Sequence, residues 1–419
     1  MRAVITPHTL SGEVNMIASK SQAHRALILA SIAEGVSFIR CEELNEDIEA
    51  TAFCLKKMGA DIIYEDGAFK VTPIVLPEGE VFMDCAESGS TLRFLLPLIC
   101  ALGIKARIKM HGRLYKRPLE PLKGVLISHG AKITQKEDEL FIEGKISAGN
   151  YEIEGNVSSQ YITGILFALL ALKEESTLKV IGELQSASYV KMTLDAIESF
   201  SVKIFQKNGA YVIKKEDRLI SANIRVEGDW SNAAFWICAA AMGNARIKIN
   251  NLNINSSQGD KKIIDILREM GANIIYENGA VIVNGSPLSG VKIDASDIPD
   301  LIPVLSAAAC AADGTTIIVN AQRLRLKESD RLKSIYDMLT EVGADIKMTE
   351  DGLIISGKKT VSGGTVDSRN DHRMAMTAAV LSVISKGELI VLDAGAVKKS
   401  YPAFWEEFIR LGGALRRYI

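Results

Sequence analysis

One pattern recurs six times along the chain. An apolar stretch of helix length with a polar start leads into a short β-type run, an amphipathic stretch, Gly-Ala or a close variant, and two more β-type runs. The Gly markers stand at Gly59-Ala60-Asp61, Gly130-Ala131-Lys132, Gly271-Ala272-Asn273, Gly343-Ala344-Asp345 and Gly412-Gly413-Ala414, with a degenerate copy at Ser201-Val202-Lys203. The period is roughly 70 residues, longer than a usual solenoid repeat. In the first unit, residues 22–34 read as an apolar helix stopped by Gly35, 36–39 as a strand and 47–58 as an amphipathic helix. Residues 61–65 and 68–72 then flank Asp66-Gly67, a hairpin signal. The fourth unit repeats the order with helices over 233–242 and 261–270 and strands over 245–249, 273–277 and 280–284.

Stretches such as 163–172 (TGILFALLAL) and 375–384 (AMTAAVLSVI) offer water no polar face, so these helices belong inside a layer. Three units about a pseudo-threefold axis would bury three of them, and 419 residues suffice for two such assemblies. The expected fold is of the α/β (α+β) class: a two-domain inside-out α/β barrel of six βαβαββ repeats, three per domain, with buried parallel helices. Residues 1–18 and 228–419 are expected to form a discontinuous domain that begins with a strand at 3–6, and 19–227 an inserted second domain.

Composition excludes several function classes. A net charge of −2 with 6% aromatic residues gives no electrostatic footprint for nucleic acid. No apolar run reaches the ~18 residues of a membrane span, and no basic-then-apolar leader opens the chain, so no membrane association and a cytoplasmic location are expected. Cys41, Cys54, Cys85, Cys100, Cys238 and Cys310 lie in apolar or strand contexts without metal-ligand spacing; buried thiols are expected, and no metal site.

The apolar helices are uninformative along their length but not at their starts. Their entries read Ser19-Lys20-Ser21-Gln22, Glu87-Ser88-Gly89-Ser90-Thr91, Ser158-Ser159-Gln160, Gly228-Asp229-Trp230-Ser231-Asn232, Asp297-Ile298-Pro299-Asp300 and Ser368-Arg369-Asn370-Asp371-His372-Arg373. Ordinary capping accounts for each Ser, Asp or Asn taken alone. It does not account for Lys20, Arg25, Arg93 and Arg373 in first turns, where a cation opposes the helix dipole, so an anion is expected there. Further cations lie in His111-Gly112-Arg113-Leu114-Tyr115-Lys116-Arg117-Pro118, read as entering a helix at Pro118. Others lie in the alternating run 323–332, read as a strand or loop, and in Lys398-Lys399-Ser400-Tyr401-Pro402 before a last helix.

Taken together these motifs resemble the 5-enolpyruvylshikimate-3-phosphate synthase family, the 3-phosphoshikimate 1-carboxyvinyltransferases. The resemblance rests on Ser19-Lys20-Ser21 with Arg25, Ser88-Gly89 with Arg93, Arg113 to Pro118, Ser158-Ser159-Gln160, Lys327-Glu328-Ser329-Asp330-Arg331, Asn370 to Met376 and Lys399-Ser400-Tyr401-Pro402, in that order from end to end. It implies a reaction without metal or organic cofactor. The 5-hydroxyl of shikimate 3-phosphate adds to C2 of phosphoenolpyruvate, whose methylene carbon is protonated, and the tetrahedral intermediate expels phosphate. The resemblance further implies a site in the interdomain cleft, a monomer, and inhibition by glyphosate because Gly89 is retained.

The residue roles follow from the same resemblance. Lys20, Asp300 and Glu328 match the groups that move protons, Lys20 with a pKa expected to be pressed downward by neighbouring cations. Lys20, Ser21, Arg25, Ser158, Ser159, Gln160, Ser186, Asp300, Arg323 and Lys327 match the shikimate 3-phosphate site. Lys20, Gly89, Arg117, Gln160, Arg331, Arg373 and Lys399 match the phosphoenolpyruvate site. Glu87, His24 and Arg323 depart from the family's commonest residues. The sister enolpyruvyl transferases acting on UDP-N-acetylglucosamine are the alternative; their reactive Cys is absent from 111–118, and so is their Lys-Asn-Ala opening.

Overall fold

A computed structural model of the chain describes residues 1–243 and 245–418. It divides into two compact units, one of Met1–Ile17 with Glu227–Ile419 and the other of Ala18–Val226. Among the described residues, no helix is long and apolar enough to cross a membrane.

The Ala18–Val226 unit holds six α-helices: α1 (Lys20–Ile32), α2 (Glu46–Lys57), α3 (Gly89–Leu102), α4 (Leu122–Ser128), α5 (Ser159–Leu172) and α6 (Ala187–Ser199). α1, α3 and α5 are the apolar helices; they touch one another and are buried over nearly their whole length. The other unit repeats this with α7 (Trp230–Met242), α8 (Ile263–Glu269), α9 (Ile302–Ala311), α10 (Arg331–Glu341), α11 (His372–Leu381) and α12 (Phe404–Arg410). Here α7, α9 and α11 form the mutually packed core. Burial of about 1.5–3 kcal/mol per large apolar side chain is what an all-round apolar helix gains by taking the inner layer.

Among the described residues, six four-stranded sheets surround the two cores, each with one parallel pair followed by two antiparallel neighbours. The shared pattern is the structural form of the sequence repeat. Three sheets are completed from a distance, one of them by Gly12–Asn15, which pairs parallel to Arg246–Asn250. Asn223–Arg225 pairs parallel to Ser37–Arg40, with Ile224 opposite Ile39. Arg2–Thr6 inserts between Leu389–Leu392 and Ala414–Tyr418, with Ala3 opposite both Val391 and Arg417.

Two local expectations are corrected. Pro118 does not open a helix: a 3₁₀ turn at Leu114–Lys116 comes first, and α4 begins at Leu122 after Pro121. The run 323–332 is not a strand, and only 327–330 of it is loop. The rest is a 3₁₀ helix, Gln322–Leu326, then the start of α10, where the Asp330 carboxylate accepts the Lys333 amide at 3.1 Å. All six cysteines are buried free thiols.

Candidate active site

In the Ala18–Val226 unit the candidate residues stand at the N-terminal ends of α1, α3, α5 and α6, except Arg117, which follows the 3₁₀ turn Leu114–Lys116. Capping explains part of their composition: Ser88 Oγ accepts the Thr91 amide and Ser158 Oγ the Gln160 amide, both at 3.3 Å. It does not explain Ser19, whose buried hydroxyl caps nothing and has no hydrogen-bond partner. Lys20, the first residue of α1, meets Asp47 of α2 at 2.6 Å, with both side chains largely buried. The expectation of Lys20 among other cations left out this partner: the repeat sets a carboxylate from the next helix against it.

α3 and α5 are joined by a polar bridge. Arg93 Nη1 donates to Gln160 Oε1 at 2.8 Å, and Gln160 Nε2 donates to Ser90 Oγ at 2.9 Å. Gly89 lies beside this bridge; a Cβ there would stand 2.7 Å from Arg117 Nη1 and 3.1 Å from Arg93 Nη1. Ser186, in the left-handed region at φ 57°, precedes α6. Arg25 is 1% exposed and donates to Thr193 Oγ1 and to the Ser21 and Tyr189 carbonyls at 2.9, 2.6 and 3.1 Å. It is a strut from α1 to α6.

Below these ends runs a buried polar chain. His24 Nδ1 lies 2.7 Å from Thr51 Oγ1, which lies 2.6 Å from Thr91 Oγ1, which donates to Ser88 Oγ at 2.8 Å. Burial first, and then Lys20 and Arg25, hold the His24 imidazole well below its ordinary 6.5, so it is neutral in the fold. A depressed basic group contributes stability that is present above the unfolded value and lost as pH falls below it. Between pH 6.5 and 5 the parent should lose up to about 1.4 kcal/mol per pH unit that a His24→Asn variant keeps. Urea melts at a series of pH values measure this, and parallel pH curves for the two proteins would refute it.

In the other unit the candidates converge on two carboxylates. Arg331, at the first position of α10 and 1% exposed, grips Asp371 through Nε at 2.8 Å and Nη2 at 3.2 Å. Its Nη1 reaches Asp300 at 2.7 Å and its Nη2 reaches Glu328 at 2.6 Å. Asp300 also meets Lys327 at 3.2 Å and Arg373 Nη2 at 3.4 Å, while Arg373 Nη1 donates to its backbone carbonyl at 3.2 Å. Burial works to raise the Asp300 pKa, but Arg373, Lys327 and Arg331 hold it well below the ordinary 3.8. Burial lowers that of Lys327, partly offset by Asp300. Asp300 precedes α9 in a turn without capping that helix, so its carboxylate serves the cations.

Lys399 Nζ donates to the Asn370 carbonyl at 2.6 Å. Its loop is pinned by Asn232 Nδ2 on the Ser400 carbonyl at 3.2 Å and by Trp236 Nε1 on Tyr401 Oη at 3.3 Å, over the stacked Trp236–Phe404 pair. Arg323 is half-buried in the 3₁₀ helix and its charge acts on Lys327.

Sequence reasoning did not single out Asp47 or Asp371. A signal existed for each. Asp47 opens the amphipathic helix of its repeat, and Asp371 occupies the cap position of α11, where it accepts the Arg373 amide at 3.0 Å. Asp371 serves as cap and counter-ion at once.

Residues 4–408 match the family model described as EPSP synthase (3-phosphoshikimate 1-carboxyvinyltransferase). The chain is 41% identical to the 3-phosphoshikimate 1-carboxyvinyltransferase of Clostridium novyi, covering 98% of this chain and 97% of that one. It is 43% identical to the enzyme of the same name from Clostridium perfringens, with 99% of each covered. The solved EPSP synthase of Acinetobacter baumannii superposes with a TM-score of 0.83 at 26% identity, over 99% of this chain and 100% of that one. With end-to-end coverage at such identity, and with the cation-ringed carboxylates described above, the chain belongs to the EPSP synthase (3-phosphoshikimate 1-carboxyvinyltransferase) family.

Proposed function

We propose that the chain transfers the enolpyruvyl (1-carboxyvinyl) group of phosphoenolpyruvate to the 5-hydroxyl of shikimate 3-phosphate, releasing phosphate. In this reading it acts as a cytoplasmic monomer, needs no cofactor and is inhibited by glyphosate. The observation that carries the reading is the convergence of Lys327, Arg331 and Arg373 on one part-buried carboxylate, Asp300. Two multiply anionic substrates call for cations to hold them, and the addition step calls for a base kept anionic among those cations.

The hydroxyl oxygen bonds to C2 while the methylene carbon takes a proton. Asp300 accepts the hydroxyl proton, and Glu328 with Lys20 supplies the proton to carbon. Loss of phosphate, with return of a methyl proton, restores the double bond. Ser21, Arg25, Ser158, Ser159, Gln160, Ser186, Arg323 and Lys327 are assigned to shikimate 3-phosphate. Gly89, Arg117, Gln160, Arg331, Arg373 and Lys399 are assigned to phosphoenolpyruvate. Glu328 now occupies Arg331 Nη2, so an anion binding there displaces Glu328 and frees it for proton transfer.

Phosphate release followed with each substrate omitted in turn tests the function. Release that needs both is expected. Release from phosphoenolpyruvate alone, or only with UDP-N-acetylglucosamine as acceptor, would overturn it.

Gly89→Ala tests the donor side. The added Cβ meets the end of a flexible arginine, so the fold yields at little cost. The guanidinium that yields is the one assigned to phosphoenolpyruvate. Weaker glyphosate inhibition and a phosphoenolpyruvate KM raised about tenfold are expected, with shikimate 3-phosphate affinity unchanged. Unaltered inhibition would remove Gly89 from the site.

A further inference from the structure

Between the strand Gly364–Asp367 and α11 the chain makes a turn in which Arg369 and Asn370 both lie in the left-handed region, at φ 53° and 55°. Asparagine tolerates that backbone. Arginine has no short polar group to compensate it locally, so the conformation persists only where the surroundings impose it. One helix imposes it here. Two residues of α10 grip the turn on either side of Asn370: Asp337 accepts from Arg369 Nη2 at 2.5 Å, and Arg331 donates through Nε to Asp371 at 2.8 Å. Three local ties complete the clamp, from the Arg369 amide to Asp367 Oδ1 at 2.7 Å, from the Asp371 amide to the Ser368 carbonyl at 3.0 Å, and from the Ser368 hydroxyl to the Asp393 carbonyl at 3.2 Å.

What the turn presents is the Asn370 carbonyl, which accepts from Lys399 Nζ at 2.6 Å; Lys399 is 7% exposed. A lysine side chain is flexible and carries three donors, so a carbonyl fixed at this distance selects one arrangement and holds it with one donor. The three cations assigned to phosphoenolpyruvate in this unit all meet the turn: Arg331 at Asp371, Lys399 at Asn370, and Arg373 through its amide on Asp371 Oδ1 at 3.0 Å. The Arg369–Asp337 pair itself is open to water. Its side chains are 43% and 30% exposed, and Lys333 shares Asp337 at 2.8 Å. Such a pair adds little to folding, so its place on a strained turn points to another role.

We propose that Arg369 is a positioning residue for the cations assigned to phosphoenolpyruvate: tied to Asp337, it fixes the turn whose Asn370 carbonyl sets the place of the Lys399 ammonium. The inference rests on the function proposed above, which assigns Lys399 to that substrate.

Arg369→Ala and Asp337→Ala test it. Each should raise the phosphoenolpyruvate KM about fivefold, with kcat within about twofold of the parent and shikimate 3-phosphate binding by calorimetry unchanged. The double variant should be no worse than either alone, and Arg369→Lys, which keeps a cation for Asp337, should recover most of the loss. Asp337→Ala separates position from charge. Removing an anion from α10 would by charge alone favour an anionic substrate, whereas loss of the tie weakens its binding. Arg369→Gly separates position from strain: glycine takes the left-handed backbone freely, so this variant should match or exceed Arg369→Ala in urea stability and still show the raised KM. Hydrogen exchange of the 368–371 amides, measured without substrate, should quicken in both alanine variants. Parental KM in Arg369→Ala, a lowered KM in Asp337→Ala, or parental exchange at the turn overturns the inference. If one alanine variant does not fold, the other decides. A parent inactive with both substrates, whose alanine variants still exchange faster at this turn, would sink the proposed function and leave the anchoring standing.

Discussion

Arg331→Met is expected to destabilise the unit built on α7, α9 and α11 by about 3–5 kcal/mol and to abolish turnover. The guanidinium is 1% exposed and stands at the first position of α10, where a lone cation would oppose the helix dipole. It is tolerated because Asp371, Asp300 and Glu328 all reach it, and they raise its pKa despite burial. Methionine fills much of the same volume but leaves Asp371, at 0% exposure, with the Ser329 hydroxyl, the Arg373 amide and the His372 ring at 3.9 Å. The cost is chiefly that of a stranded buried charge. Arg331→Lys keeps the charge but not the planar fork that holds both Asp371 oxygens, so it should fall between parent and Met variant. Urea unfolding followed by tryptophan fluorescence reads this unit, since Trp230, Trp236 and Trp405 all lie in it. A loss below about 1 kcal/mol for the Met variant would mean that the carboxylates relax into solvent, and the description of Arg331 as their common anchor would be wrong.

The repeat made the fold legible because its two periodicities are carried by different residues. Strands 61–65, 68–72, 273–277 and 280–284 fall where the alternation and the turn dipeptides place them. The apolar helices begin earlier than their apolar runs: α1 at Lys20 rather than 22, α5 at Ser159 rather than 163, α7 at Trp230 rather than 233. The reason is physical. Their first turns carry the polar groups of the site, so hydrophobic periodicity is silent where the chemistry lies.

Pairing across the sequence is what stayed hidden. The run 323–332 displays four cations and two carboxylates, but nothing in it tells that Arg331 answers to Asp371, 40 positions on, while Arg325 answers to Asp330, 5 positions on. Lys20 looked like a cation among cations because Asp47 reads locally as one of three acids in the first turn of α2. Helix dipoles and composition predict that anions collect at these ends; only the packing of one helix start against another decides which of them the protein supplies itself.

Asp300→Asn should lower kcat about a hundredfold to ten-thousandfold while the fold and shikimate 3-phosphate binding persist. The substitution is isosteric, and Asn Oδ1 is able to keep accepting from Lys327 and Arg331, the partners of Asp300 Oδ1 at 3.2 and 2.7 Å. What it removes is the negative charge and the site for a proton. Arg331 retains Asp371 and Glu328, so the unit keeps its principal ion pair. The stability sign is that of a depressed carboxylate: Asp300 contributes above the ordinary 3.8, and the contribution is lost as pH falls through its lower folded value. Parent and Asn variant should therefore differ in stability at neutral pH and converge in strong acid. Single-turnover rates separate the chemical step from product release, and calorimetry reads ligand binding directly. A variant with the parental single-turnover rate would assign the hydroxyl proton to another acceptor and leave Asp300 as an organiser of Lys327, Arg331 and Arg373 alone.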